Sequence, residues 1–256
     1  MTIPAKPMPY VPFATKAAIF LRLFAIQGAW NYETLLGNGI AFCVEPSLRL
    51  LHGRNEPEKY RQAIAREARY FNAHPYLASL AVGALARAEL DQVDPALIER
   101  FRRALGGPLG SVGDRLIWAS WLPFCSLLAL CAFGLGASPG WVLLIFLGVY
   151  NAGHVALRAW GVRTGFRKGM RVSEALANPL LRKGPAIIGG AACLVAGFAL
   201  PLAFQGIIGP GRRLSGGVFL IAILGTLLLA RFGGRGEGWR LALVILSTFV
   251  LFSVVR

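Results

Sequence analysis

From Leu116 to Leu135 the chain runs for twenty residues without a charged side chain. That is enough to cross the roughly 30 Å hydrocarbon core of a bilayer as one helix. Backbone in lipid must satisfy its own polar groups, so a run of this length confines the downstream half to helical membrane structure. Immediately before it stands Gly107-Pro-Leu-Gly-Ser-Val-Gly113-Asp114-Arg115. A helix interior loses about 1 kcal/mol for a glycine and about 3 kcal/mol for a proline. The stretch is therefore predicted to be a loop that stops the preceding helix. Asp114 then takes the N-cap of the first span, its carboxylate accepting from free N–H groups at the positive end of the helix dipole.

Composition agrees with a membrane class. Of 256 residues, 55% are hydrophobic and 15% charged, with a mean hydropathy of +0.57; a soluble domain carries about 25% charged residues. The net charge of +15 raises nucleic acid as a partner. However, the basic residues Arg158, Arg163, Arg167, Lys168 and Arg171 follow an apolar run, and Arg182 and Lys183 precede the next. That is the pattern of the positive-inside rule. With no basic motif interleaved with aromatics, no nucleic acid is expected. Cys43, Cys125, Cys131 and Cys193 form no CxxC pair, so neither a disulfide framework nor a metal site is expected. Residues 1–12 hold three internal prolines without a charged-then-apolar leader pattern, and are expected to be a disordered tail with no cleavable signal.

Three further parts follow in order. Residues 13–26 read as an amphipathic interfacial helix, with Phe13, Ala17, Phe20, Leu21 and Phe24 at helical spacing and Lys16 and Arg22 breaking the run. Residues 27–106 read as a re-entrant hairpin with amphipathic helices, and 107–256 as a transmembrane core. Within Gln27 to Leu51, read as a helix, the polar residues Gln27, Asn31, Thr34, Asn38 and Glu45 follow at steps of 4, 3, 4 and 7, which return to one face. Gly28, Gly37, Gly39 and Pro46 warn of a break. A polar stripe at membrane depth must meet protein or water, so it either packs against a partner helix or lines a solute path. Glu58 to Phe71 is predicted to be a surface helix with Tyr60, Ile64, Ala68 and Phe71 on its apolar face and Arg61, Arg66, Glu67 and Arg69 around it. An apolar helix, Tyr76 to Ala88, and a charged one, Pro95 to Leu105, complete the upstream half.

Five spans are expected: 116–137, 140–157, 185–204, 214–230 and 240–255. The turn 158–183 carries seven Lys and Arg against one acid, Glu174, and is expected to be cytoplasmic. That places 137–140 and Arg256 outside, with Arg212 and Arg213 on the unfavoured side.

Candidate contact residues are judged by their chemistry. His74, before a proline, either caps backbone carbonyls or donates to a solute hydroxyl. His154, three residues after Asn151, belongs to a structural network or meets solute; His52, beside Gly53, is expected to be solvated. None has an acidic or nucleophilic partner at catalytic spacing, so no phosphohistidine and no catalytic residue are expected. Asp114 serves as a cap or as an acceptor for hydroxyls. Asn31 and Glu33 are the preferred pair, since amide and carboxylate groups make paired hydrogen bonds to neutral polar solutes. On a regular helix they face opposite ways and cooperate only if Gly28 or Gly37 breaks it. The residues expected to meet a solute are Gln27, Asn31, Glu33, Asn72, His74 and Asp114.

Four segments in order carry a family resemblance: Gln27-Gly-Ala-Trp-Asn-Tyr-Glu33, Phe71-Asn-Ala-His-Pro-Tyr-Leu-Ala-Ser79, Gly107-Pro-Leu-Gly-Ser-Val-Gly-Asp114 with Pro123 nine residues on, and Gly165-Phe-Arg-Lys-Gly169. From about Leu21 to Asn178 the chain resembles the IID membrane subunit of mannose-family (mannose/fructose/sorbose type) sugar phosphotransferase systems. The resemblance implies an all-α integral membrane protein, with a re-entrant helical hairpin domain beside a core of about five transmembrane helices. It implies a multi-pass subunit of the bacterial inner membrane that pairs with a IIC subunit, in a trimer of such pairs. Together they would move a hexose or amino sugar inward, while separate cytoplasmic IIA and IIB proteins deliver the phosphate; no cofactor is implied.

The C-terminal third departs from the pattern. The family has a longer segment between its last spans, where this chain has the short, glycine-rich Gln205 to Gly217, and Arg182-Lys-Gly-Pro is more basic than the pattern. That departure motivates an alternative: a transport-inactive scaffold or sensor derived from such a subunit. A self-sufficient channel is disfavoured, because one polar helix face has no second half to close a pore.

Overall fold

The computed structural model describes residues 10–53, 55–208 and 224. Among the described residues it is helical, with only two isolated bridges, Asn31 to Leu35 and Leu35 to Phe71. The helices are α1 (Phe13–Arg22), α2 (Gly37–His52), α3 (Pro57–Glu67), α4 (Ala78–Leu90), α5 (Pro95–Gly113), α6 (Leu122–Gly134), α7 (Pro139–Lys168) and α8 (Pro179–Ile208). A 3₁₀ turn, Leu23–Ala25, extends α1, and a 3₁₀ stretch, Gly169–Ala177, follows α7. A π-helical segment, Asp114–Trp121, joins α5 to α6 without a break.

The described residues fall into two compact units: 10–125 with 146–191, and 126–145 with those from 192 onward. In the first, α4 is the centre. All twelve residues from Ala78 to Glu89 are buried, which is the mark of a helix enclosed on every side rather than laid on a surface. Gly83 of α4 and Gly165 of α7 let two backbones touch. A Cβ on Gly165 would strike the Leu80 carbonyl, and one on Gly83 the Val162 carbonyl. Around α4, Ile40, Val44 and Leu48 of α2, Ile98 and Leu105 of α5, and Val172 and Ala175 of the 3₁₀ stretch close the core. In the second unit, Gly134 at the end of α6 lies against Leu202 of α8, and Gly136 turns the chain with φ of +88°.

Three helices among the described residues are long and apolar enough to cross a membrane: Pro95–Gly134, Pro139–Ala177 and Pro179–Leu200. Of the expected spans, 240–255 and all of 214–230 except residue 224 lie outside the described residues, as does the tail up to residue 9.

Several sequence expectations need correction. The Gly107–Gly113 stretch is not a loop: α5 runs through it, and Pro108 sits inside the helix. The glycines provide proximity rather than flexibility. Gly106 meets the Asn72 carbonyl and Gly113 meets the His74 side chain, so the 71–75 segment lies directly on the helix. Asp114 is consequently mid-helix and not a cap. The capping aspartate is Asp94, whose Oδ1 accepts from Ala96 N at 2.8 Å and Leu97 N at 3.2 Å, with Pro95 at the first helical position.

Gln27 to Leu51 is not one helix either. It turns through residues 27–36 and becomes helical at Gly37, so the polar stripe dissolves. The 158–183 segment is helix as far as Lys168, not turn. Glu67, expected on a solvated face, is fully buried against Arg102. His52, expected to be solvated, bonds through Nδ1 to Glu56 Oε2 at 2.9 Å.

Candidate functional site

The 27–36 turn is built by Asn31. Its Oδ1 accepts from Glu33 N at 3.0 Å and Thr34 N at 2.9 Å, while Nδ2 donates to Thr34 Oγ1 at 2.9 Å and Ala29 O at 3.2 Å. This is an aspartate/asparagine turn, in which the side chain imitates a backbone partner. The turn is then sewn to the 71–75 segment: Phe71 N donates to Thr34 O and Leu36 N to Phe71 O, each at 3.1 Å. Because 71–75 in turn lies on the glycine face of α5, three stretches far apart in sequence enclose one cavity.

That cavity holds about 350 Å³, within the size range of small-molecule sites. Gln27 and Trp30 line it from the turn, Asn72 and His74 from the connecting segment, and Gly110, Ser111, Asp114 and Trp118 from α5 and the π-helical segment. Four of the six expected contact residues are thus brought together: Gln27, Asn72, His74 and Asp114. Asn31 is spent on its own turn, and Glu33 is exposed, its carboxylate making no hydrogen bond or ion pair among the described residues. Neither lines the cavity.

His74 is the most informative member. It is 1% exposed, and its Nδ1 accepts from Tyr76 N at 3.2 Å, so the neutral ring carries its proton on Nε2. Burial, helped by the charge of Arg158, pushes its pKa down to about 4, so the ring is neutral at physiological pH. Nε2 is buried with no hydrogen-bond partner among the described residues. A buried donor without an acceptor costs about 1–3 kcal/mol. The Trp118 ring stands 5.0 Å from the imidazole, and the π-helical register presents Asp114 and Trp118 to the cavity together. Such π segments recur at functional sites.

Behind the cavity a second set reaches α7. Tyr76 and Tyr150 hydroxyls share a hydrogen bond of 2.7 Å, and Tyr76 stacks on His154 at 4.8 Å. Arg158 Nη1 donates to His154 Nδ1 at 2.9 Å, and His154 Nε2 to Asn151 Oδ1 at 2.7 Å. The Arg158 guanidinium also lies 4.4 Å from the Tyr76 ring centre and 5.0 Å from that of Phe24. His154 is therefore tied into a network, the structural option of the two that the sequence left open. Sequence reasoning passed over Tyr150 and read Arg158 only as a charge flanking a span, although 150, 154 and 158 repeat every four residues along one helix face.

Cys43 is buried and its thiol is pushed up to about 12 by that burial, which leaves it inert as a nucleophile. No group of three or more His, Cys, Asp or Glu could hold a metal ion among the described residues. What the site offers is hydrogen bonding: a donor at His74, an acceptor at Asp114, amides at Gln27 and Asn72, and indole faces at Trp30 and Trp118.

Residues 14–197 match the family model described as the mannose/fructose/sorbose family IID component of the phosphotransferase system. The chain belongs to this family. Among relatives of this IID chain, the mannose-specific EIID component of Escherichia coli K12 is 32% identical over 182 residues, covering 67% of this chain and 62% of that protein. The sorbose-specific EIID component of Klebsiella pneumoniae is 32% identical over 187 residues, 67% and 64% of the two chains. The fructose permease IID component of Bacillus subtilis is 27% identical over 180 residues, again 67% and 64%. The matched part thus spans less than two thirds of each relative's length. Among solved structures, a complex of the mannose transporter ManYZ with microcin E492 aligns with a TM-score of 0.57 at 22% identity, over 96% of both chains. A second membrane protein aligns at 0.66 and 22% identity over 97% of both. These likenesses establish the helical membrane fold of the IID chain. The family makes it a membrane component of a sugar phosphotransferase system.

Proposed function

We propose that this IID subunit works with a IIC membrane partner to carry a hexose or amino sugar inward across the bacterial inner membrane, holding no catalytic residue itself. Soluble IIA and IIB proteins would bring the phosphoryl group. The observation that carries the reading is the cavity in which Gln27, Asn72, His74 and Asp114 converge. A pyranose is a ring of hydroxyls with an apolar C–H face. The Nε2–H of His74 would donate to a hydroxyl oxygen, the Asp114 carboxylate would accept from one, and the amides would do both, while an indole covers the C–H face. Each is an interaction a neutral hexose can make, and the Asp114 carboxylate would also accept from the ammonium of an amino sugar.

The related solved assembly, a mannose transporter of two named components, supports a IIC partner. Assembly as a trimer of such pairs is the wider form of this proposal. Glu33 and Tyr32, the latter 89% exposed, would then meet the partner rather than the sugar. Segment 27–106 would supply the re-entrant and interfacial part, and 107–256 the membrane core.

Co-expression with a cognate IIC and measurement of sugar-dependent phosphoryl uptake tests the proposal. His74→Phe and Asp114→Asn should each reduce uptake while leaving the IIC–IID complex intact. A chain that associates with no IIC subunit, or one whose uptake ignores both substitutions, would sink it.

A further inference from the structure

A second concavity, of about 660 Å³, lies between α2 and α3 and shares no residue with the sugar cavity. Its floor is apolar, formed by Ala41, Phe42, Ile64 and Ala68, and its rim carries Arg22, Arg49 and Arg61. One acid faces three guanidinium groups. Glu45 accepts from Arg22 Nη1 at 2.7 Å, Arg49 Nε at 2.7 Å and Tyr60 OH at 2.8 Å, which saturates the carboxylate. Arg61 has only a 3.9 Å contact with Glu58, and both side chains are more than 70% exposed; such a pair contributes little. The groove is therefore left with uncompensated positive charge above an oily floor.

Its position supplies the second half of the argument. Helix α1 leads to the rim with Phe13, Leu21 and Phe24 exposed, and Phe42 and Leu50 are exposed on α2. Large apolar side chains interleaved with Lys16 and Arg22 suit the headgroup boundary of a bilayer. Phe24, two residues beyond Arg22, rests on Arg158 of α7, and α7 continues to its basic end at Arg163, Arg167 and Lys168. By the positive-inside rule that end is cytoplasmic, and the leaflet there is the anionic one.

We propose that this groove holds an anionic phospholipid of the cytoplasmic leaflet, its phosphate against Arg49 and Arg61 with Arg22 behind, and its acyl chain along Phe42 and Ile64. A small soluble anion would satisfy the rim and leave the floor wet. A zwitterionic lipid would cover the floor and leave the rim without its counter-charge.

The test is native mass spectrometry of the full chain in detergent, titrated in parallel with phosphatidylglycerol, phosphatidylcholine and inorganic phosphate. Phosphatidylglycerol should be retained in preference to phosphatidylcholine. Arg61→Gln should weaken that retention about fivefold, and Arg49→Gln with Arg61→Gln about thirtyfold. Phe42→Ser should weaken phosphatidylglycerol without changing phosphate binding, because it touches only the floor. Equal retention of the two lipids, or of phosphatidylglycerol by wild type and Arg61→Gln, would overturn the proposal. So would inorganic phosphate displacing the lipid at comparable concentration.

Discussion

Glu67 and Arg102, 35 residues apart in sequence, meet where neither can reach water: their side chains are 0% and 2% exposed. Arg102 also donates through Nη2 to Arg69 O at 2.9 Å, and Arg66 holds Glu89 with two short contacts of 2.6 and 2.8 Å. This four-residue cluster ties α3 to α4 and α5, and Arg102 also lies against Phe71 in the segment that walls the cavity. Glu67→Ala should destabilise the chain by about 3–5 kcal/mol, because it strands a buried guanidinium. Thermal unfolding in detergent reads the loss. A replacement of both partners by leucine and methionine should recover much of it.

The same cluster predicts a pH dependence. Burial pushes the Glu67 carboxyl up to about 8, against the pull of Arg102 and with Glu89 adding to the rise. A carboxyl whose folded-state pKa lies above its unfolded value contributes stability below the unfolded value and loses it as pH rises through the folded one. The melting temperature should therefore fall from about pH 5 to pH 8 in wild type. Glu67→Gln should flatten that slope, and an unchanged slope would refute the assignment.

His74 predicts the opposite sign at acid pH. Its folded pKa, lowered to about 4, means stability present above the unfolded value and lost as pH falls from about 6.5 to 4. Sugar affinity, by contrast, should be flat between pH 6 and 8, since the ring stays neutral there. His74→Phe should raise the sugar Kd by roughly tenfold to a hundredfold, the loss of one buried hydrogen bond. Isothermal titration on the assembled transporter measures both.

Two glycines three residues apart on α5 should respond in opposite directions. A Cβ on Gly113 would run into Cβ and Cγ of His74, which has no room to retreat, so Gly113→Ala should cost about 1–3 kcal/mol. At Gly110 the nearest atom is Ala73 Cα at 3.9 Å, ordinary contact. Gly110→Ala should leave stability unchanged or raise it by up to about 1 kcal/mol, as expected for a glycine replaced inside a helix. Were both substitutions harmless, the segment would be the loop that its composition suggests.

Asn31 and Glu33 separate folding from assembly. Asn31→Ala removes four hydrogen bonds from the turn and should lower the melting temperature of the chain alone. Glu33→Ala should leave that temperature unchanged and weaken co-purification with the IIC partner. Equal effects on both readouts would place the two side chains in one role.

Much of the architecture was readable beforehand. Apolar length located the three described spans, and the 3.6-residue period located α1 and α3. Of the six residues expected to meet a solute, Gln27, Asn72, His74 and Asp114 line one cavity, because the segments that carry them meet. The failures share a cause. Propensity treats Gly107 to Gly113 as a helix breaker, but tertiary packing overrides propensity where small residues admit another backbone. Periodicity put Glu67 on a solvated face because it counts charge as outward, and the compensating Arg102 lies a whole helix away. The stripe from Gln27 to Glu45 was arithmetically sound on a helix that Asn31 prevents from forming there. Local spacing could not announce any of these long-range partners.

At Gly83 and Gly165 two main chains are in direct contact, with no side chains between them to slide or repack. Rotation of either helix about its axis would drive a carbonyl into the other, so α4 and the neighbouring part of α7 must travel as one piece. Any movement that opens or closes the cavity then falls to the joint at residues 27–36, held by a few hydrogen bonds rather than by locked backbones.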